Sequence, residues 1–206
     1  DLASSGARPI GLLWSLSLPQ HFCLEDVHEL AKGFKDAAAL YETPVIGGNT
    51  LVRDGHLEIH VTAIGETDGK VLRRTGAQEG DLVYVTGALG SRSIGYLDPT
   101  SAHRQIRHQW RPHLTESKCL VDWGYVTAMM DVSDGLLLDT ARLAQCNQLI
   151  IDIDSRQLPV DPTLKTHPLI SQAILSGGED YVLLFTAPSG VAPPADANAT
   201  CIGICH

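Results

Sequence analysis

Three times in this chain of 206 residues an apolar run stops at a glycine-flanked polar cluster. The clusters are Gly47-Gly48-Asn49-Thr50, Ser133-Asp134-Gly135 and Gly177-Gly178-Glu179-Asp180. Strands that end in such turns, with helical segments between them, point to layered α/β architecture. Residues 10–18 are apolar and stop at Pro19. Residues 24–42 place Val27, Leu30, Ala31, Phe34, Ala37, Ala38 and Tyr41 at helical spacing. Glu25 and Asp26 stand in the first turn, where the helix dipole favours acids. Residues 57–64 alternate apolar and polar, as a half-buried strand does. With Asp54-Gly55 as the turn, residues 44–65 read as a hairpin.

The polar stretch 70–80 reads as a domain boundary, separating residues 1–70 from residues 80–206. Beyond it, strands are expected over 81–86, 149–153 and 181–186, and helices over 117–129 and 136–145. Residues 187–198 read as a surface loop. The expected fold class is α+β: a partial N-terminal domain of strands plus a helix, followed by a C-terminal α/β sandwich.

Composition excludes several classes. Lys and Arg number 15 against 24 Asp and Glu, a net charge of −9. Such a surface disfavours nucleic acid and anionic lipid as partners. No apolar run approaches the roughly 20 residues of a membrane span. Five scattered cysteines, an odd number, suit reduced thiols in a cytoplasmic protein. Cys201, Cys205 and His206 are one residue too widely spaced for a haem-attachment motif. Phosphate-loop, zinc-protease and serine-hydrolase signatures are absent.

Each cluster admits a plain and a chemical reading. Gly-Gly-Asn-Thr serves as a turn, and Ser-Asp-Gly before an apolar run serves as a helix N-cap. Gly-Gly-Glu-Asp sets two acids where an ordinary loop has no use for them. Read chemically, carboxylates and an amide beside tight turns are oxygen ligands for Mg²⁺. That ion commonly takes one or two protein carboxylates plus phosphate oxygens.

The order of motifs resembles thiamine-monophosphate kinases, of the aminoimidazole-ribonucleotide-synthetase-like superfamily. The motifs are Asp1-Leu2-Ala3-Ser4-Ser5-Gly6-Ala7-Arg8-Pro9, Ile46-Gly47-Gly48-Asn49-Thr50, Arg74-Thr75-Gly76-Ala77-Gln78-Glu79-Gly80-Asp81 and Val85-Thr86-Gly87-Ala88-Leu89-Gly90. Arg111-Pro112, Met130-Asp131-Val132-Ser133-Asp134-Gly135-Leu136 and Ser176-Gly177-Gly178-Glu179-Asp180-Tyr181 complete the set. The resemblance implies ATP- and Mg²⁺-dependent phosphorylation of thiamine monophosphate by a homodimer. By position in the motifs, Asp1, Asn49 and Asp134 would hold metal. Gly48, Asn49, Arg74 and Ser133 would bind nucleotide and phosphate, with Asp134 and Arg74 catalytic. Glu179 and Asp180 would face the substrate. Three departures accompany it. The family's first metal-binding strands and its final segment are expected beyond the ends of this chain. Asn49 stands where the family carries an aspartate, and residues 113–118 do not continue as its proline-rich turn. A non-catalytic relative that binds nucleotide or thiamine phosphate is the alternative, and a sibling synthetase is a third reading.

Overall fold

The computed structural model describes residues 1–106 and 110–206, and residues 107–109 lie outside the described residues. The chain divides into two compact units. One comprises Leu2 and Arg8–Asp68; the other comprises Asp1, Ala3–Ala7 and Gly69–His206.

The first unit contains β1 (Arg8–Pro19), α1 (Leu24–Leu40), β2 (Val45–Arg53) and β3 (Glu58–Glu66). Its sheet has the order β2-β1-β3, with β1 parallel to β2 and antiparallel to β3. The expected hairpin over 44–65 is therefore wrong: β2 and β3 lie on opposite sides of β1. The reason is α1. A helix joining two strands lets them pair in parallel, so β2 takes one edge of β1 and β3 takes the other. The turn signal at Asp54-Gly55 is real, with Gly55 at φ +129°, but a turn does not choose the pairing partner. At the start of α1 the Cys23 backbone N–H donates to Asp26 at 2.9 Å, which holds the Asp26 carboxyl below its usual range. Trp14 of β1 stacks on Phe34 of α1 at 4.3 Å between ring centroids.

The second unit contains β4 (Leu82–Thr86), α2 (Ser91–Leu97), α3 (Leu114–Trp123), β5 (Ala128–Asp131) and α4 (Leu136–Asn147). It continues with β6 (Ile151–Ile153), α5 (Ile170–Ser176), β7 (Leu183–Ala187) and β8 (Ala199–Cys205). The sheet order is β5-β7-β4-β8-β6, with each neighbouring pair antiparallel. Alternation along the strands makes two cores. Val83, Val85, Met130, Leu184 and Ile202 pack with Leu136 and Leu143 of α4. Tyr84, Met129, Leu183 and Phe185 pack with Leu120 of α3. The sheet is thus sandwiched between α3 and α4, and each fully buried large side chain contributes roughly 1.5–3 kcal/mol.

The helix expected over 117–129 is shorter and earlier. It stops at Gly124, which takes the left-handed conformation at φ +79°. Thr127 then leads into β5, its hydroxyl 2.7 Å from Asp81 and 2.6 Å from Thr186. Residues 199–205, for which no element was expected, form β8. All five cysteines are free thiols. Cys205 is buried, which pushes its thiol up to about 11.

Candidate functional site

Three loops of the second unit converge beside the ends of β4 and β5. The loop after β4 carries Gly87 to Gly90, the loop after β5 carries Ser133-Asp134-Gly135, and the loop after α5 carries residues 177–181. Backbone bonds lock them together. Glu179 N–H donates to Ser133 C=O at 2.8 Å, and Tyr181 N–H donates to Val132 C=O at 2.8 Å. Ser93 Oγ donates to Gly178 C=O. The Gly178 N–Cα–C unit lies so close to Ser133 that a Cβ there would sit 2.5 Å from the Ser133 carbonyl oxygen. Gly178 also holds φ +68°, and Glu179 and Tyr181 follow at +64° and +52°. Two non-glycine residues in the left-handed region mark a strained turn held by its surroundings.

Asp180 points inward. It is 1% exposed, and both carboxylate oxygens accept the Gly90 N–H at 3.0 Å. Burial pushes its carboxyl up to about 7, against the pull of the Gly90 N–H and the Arg92 charge. Arg92 donates to the Asp180 backbone carbonyl at 2.9 Å. The Glu179 carboxylate accepts from Tyr181 Oη at 3.3 Å. The Tyr181 phenol is raised by burial first and by Glu179 and Asp131 beside it. His113 N-terminal to α3 closes the rear of the β4 loop. Its Nδ1 lies 3.0 Å from Thr86 Oγ1, which accepts the Leu183 N–H at 2.9 Å. Burial lowers the His113 pKa.

Ser133 and Asp134 do not cap α4; that position is Gly135. The cap runs the other way. Asp139, fully buried in the first turns of α4, accepts the Ser133 and Asp134 backbone N–H groups, both at 2.9 Å. Arg142 then bridges the Asp139 and Asp134 carboxylates. Sequence reading missed Asp139, Arg142 and Arg92. The Asp139 and Arg142 pair, one helical turn apart and three leucines beyond Ser-Asp-Gly, was the available signal.

The remaining expected residues are placed elsewhere. The Arg74 carbonyl accepts from Asn147 Nδ2 at 2.8 Å, at the last residue of α4. Asp134 precedes the first, so their backbones are separated by a helix of about 18 Å. Asp1 lies at the chain start, its carbonyl accepting from Ser5 N–H at 3.1 Å. Gly48 and Asn49 belong to β2 in the first unit, Asn49 in register with Ser15 and exposed. A Cβ on Gly48 would sit 1.9 Å from the Trp14 carbonyl oxygen, so the strand pairing itself demands glycine there.

Among the described residues no three His, Cys, Asp or Glu side chains gather into a metal-holding group. The donor set instead suits Mg²⁺ held largely by phosphate oxygens with one or two carboxylates. Asp134 fits that part: its carboxylate is half exposed and, among the described residues, one oxygen, Oδ1, has no partner.

Residues 1–67 match the family described as AIR synthase related protein, N-terminal domain. A thiamine-monophosphate kinase of Rhodopirellula baltica is 33% identical over 198 residues, covering 93% of this chain and 59% of the relative. This chain thus spans about three fifths of that relative's length. The crystal structure of thiamine monophosphate kinase from Aquifex aeolicus superposes with a TM-score of 0.87 at 33% identity, covering 100% of this chain and 73% of that one. A structure described as AaThiL complexed with AMPPCP and TMP superposes with a TM-score of 0.81 at 30% identity, covering 100% and 70%.

Proposed function

The chain belongs to the thiamine-monophosphate kinase family, and on that premise we propose that it phosphorylates thiamine monophosphate with ATP. A terminal phosphate oxygen of thiamine monophosphate attacks the γ-phosphorus. The new P–O bond forms as the bond from the γ-phosphorus to the bridging oxygen breaks. The products are thiamine diphosphate and ADP. Such transfer needs positioning and charge neutralisation more than a covalent nucleophile. The observation that carries the reading is the interlock of the Ser133-Asp134-Gly135 loop with residues 177–181 through the Glu179 to Ser133 bond. The complex with AMPPCP and TMP supports the two substrates.

In this reading Asp134 supplies a carboxylate oxygen to Mg²⁺, with Asp1 and Asn49 as the further ligands that the family resemblance assigns. When bound, Mg²⁺ would neutralise developing charge on the phosphates. Ser133, Gly48 and Arg74 are assigned to nucleotide and phosphate. Glu179 faces the thiamine phosphate side, while buried Asp180 acts through the loop it anchors. A cytoplasmic homodimer belongs to the same proposal. The second reading, binding without turnover, is favoured by one feature: Asn49 lacks the charge that an aspartate would bring to the metal.

Calorimetric titration with Mg·AMPPCP tests the assignment. Asp134→Asn removes a charged ligand and should weaken binding on the order of tenfold or more. Unchanged affinity would remove Asp134 from the metal site.

A further inference from the structure

Arg142 lies on α4, one turn beyond Asp139, and makes an unequal pair of bonds. Its Nη1 atom donates both to Asp139 Oδ1, at 2.7 Å, and to Asp134 Oδ2. Asp139 is fully buried, and its other oxygen is already occupied by the Ser133 and Asp134 N–H groups. Asp134 is 52% exposed and Arg142 40% exposed. The two bonds therefore differ in permanence. A carboxylate sealed from water holds its guanidinium because losing it would leave an unpaired buried charge. An exposed ion pair is weak and exchanges readily with water or another ligand. Among the described residues, Nε and Nη2 of Arg142 have no hydrogen-bond partner. The planar edge that binds phosphate oxygens in pairs is thus open, beside Asp134.

We propose that Arg142 is a phosphate-contacting residue that occupies Asp134 until the nucleotide arrives. The proposal rests on the reading of this site as the phosphoryl-transfer site. Without nucleotide, Arg142 neutralises Asp134 and competes with a divalent cation for it. When Mg·ATP binds, the cation takes Asp134. Arg142 stays tethered to Asp139 and turns its free donors to the phosphate chain. Positive charge at Asp134 is exchanged and none is lost, so the site never holds an unpaired pair of acids. No bond is made or broken covalently in the exchange.

This geometry predicts opposite effects on two ligands, which a merely structural role cannot produce. Arg142→Gln should bind Mn²⁺ alone several-fold more tightly, because its competitor for Asp134 is gone. The same variant should bind Mg·AMPPCP about tenfold more weakly, because a charge-assisted contact to phosphate is gone. Arg142→Lys should recover part of the nucleotide affinity, since a lysine keeps the charge and loses the fork. Mn²⁺ binding is read by the free-ion electron paramagnetic resonance signal, and AMPPCP binding by calorimetry. A variant that weakens both ligands together has only lost loop structure, and that overturns the proposal. So does a variant that changes neither while the unmodified chain binds AMPPCP. If the unmodified chain binds no AMPPCP, the reading of the site fails and the role of Arg142 fails with it.

Discussion

Replacing Asp180 by asparagine should make the protein more stable, and by an amount that depends on pH. The Asp180 carboxyl is buried and titrates at about 7, against 3.8 for an exposed aspartate. Between those values the folded chain binds one more proton than the unfolded chain. Stability from this group therefore falls as pH rises, by about 1.4 kcal/mol per unit. The penalty is near zero below pH 4 and levels off on the order of 4 kcal/mol above pH 7. Asparagine resembles the protonated carboxyl: it keeps an oxygen for the Gly90 N–H and carries no charge to bury. Urea unfolding of the two proteins at pH 5 and pH 8 is the assay. The advantage of Asp180→Asn should be about 2–3 kcal/mol larger at pH 8. An advantage that is equal at both pH values, or a loss that grows with pH, would refute the argument from burial. Asp180→Ala should instead destabilise at both, because the Gly90 N–H loses its acceptor at a cost of about 1–3 kcal/mol.

Two further outcomes follow from the same loops. Gly178→Ala must place a Cβ 2.5 Å from the Ser133 carbonyl oxygen at φ +68°. It should cost at least about 2 kcal/mol, whereas Gly190→Ala, with nothing within 4 Å, should change the melting temperature little. The His113 ring should titrate below 6.5 in a proton NMR titration, because burial lowers it. Its neutral form then stabilises the fold above pH 6.5, and that contribution is lost as pH falls through the folded pKa. A His113 value at or above 6.5 would contradict the buried contact with Thr86.

The elements most legible in the sequence were those with a local cause. The first turn of α1 announces itself through Glu25 and Asp26, and two of the three glycine clusters, at 133–135 and 177–180, do mark loops, whereas Gly47–Thr50 lies within β2, where strand pairing and not a turn places the glycines. Pairing was less legible, because it is decided at a distance. Asp54-Gly55 specifies a turn, yet only the parallel crossover through α1 sends β3 to the far side of β1. Gly124 ended α3 early because its left-handed conformation suits the αL cap that α3 takes there. At the site the residue types stood out while their directions did not. Glu179 and Asp180 are adjacent acids in one motif. The fold buries Asp180 on the Gly90 N–H, while the Glu179 carboxylate accepts from the Tyr181 hydroxyl. Gly48 looked like a ligand-approach glycine, and the structure gives it a packing reason in the Trp14 carbonyl. Asp139 and Arg142 passed as ordinary helix residues, since only the three-dimensional turn shows what lies above them.

Phosphoryl transfer to thiamine monophosphate can be read directly as product. The most direct measurement incubates the 206-residue chain with ATP, Mg²⁺ and thiamine monophosphate and quantifies thiamine diphosphate by chromatography. Product should form in one-to-one yield with ADP and be lost in Asp134→Asn. ATP and thiamine monophosphate bound together, with no thiamine diphosphate formed, would contradict it.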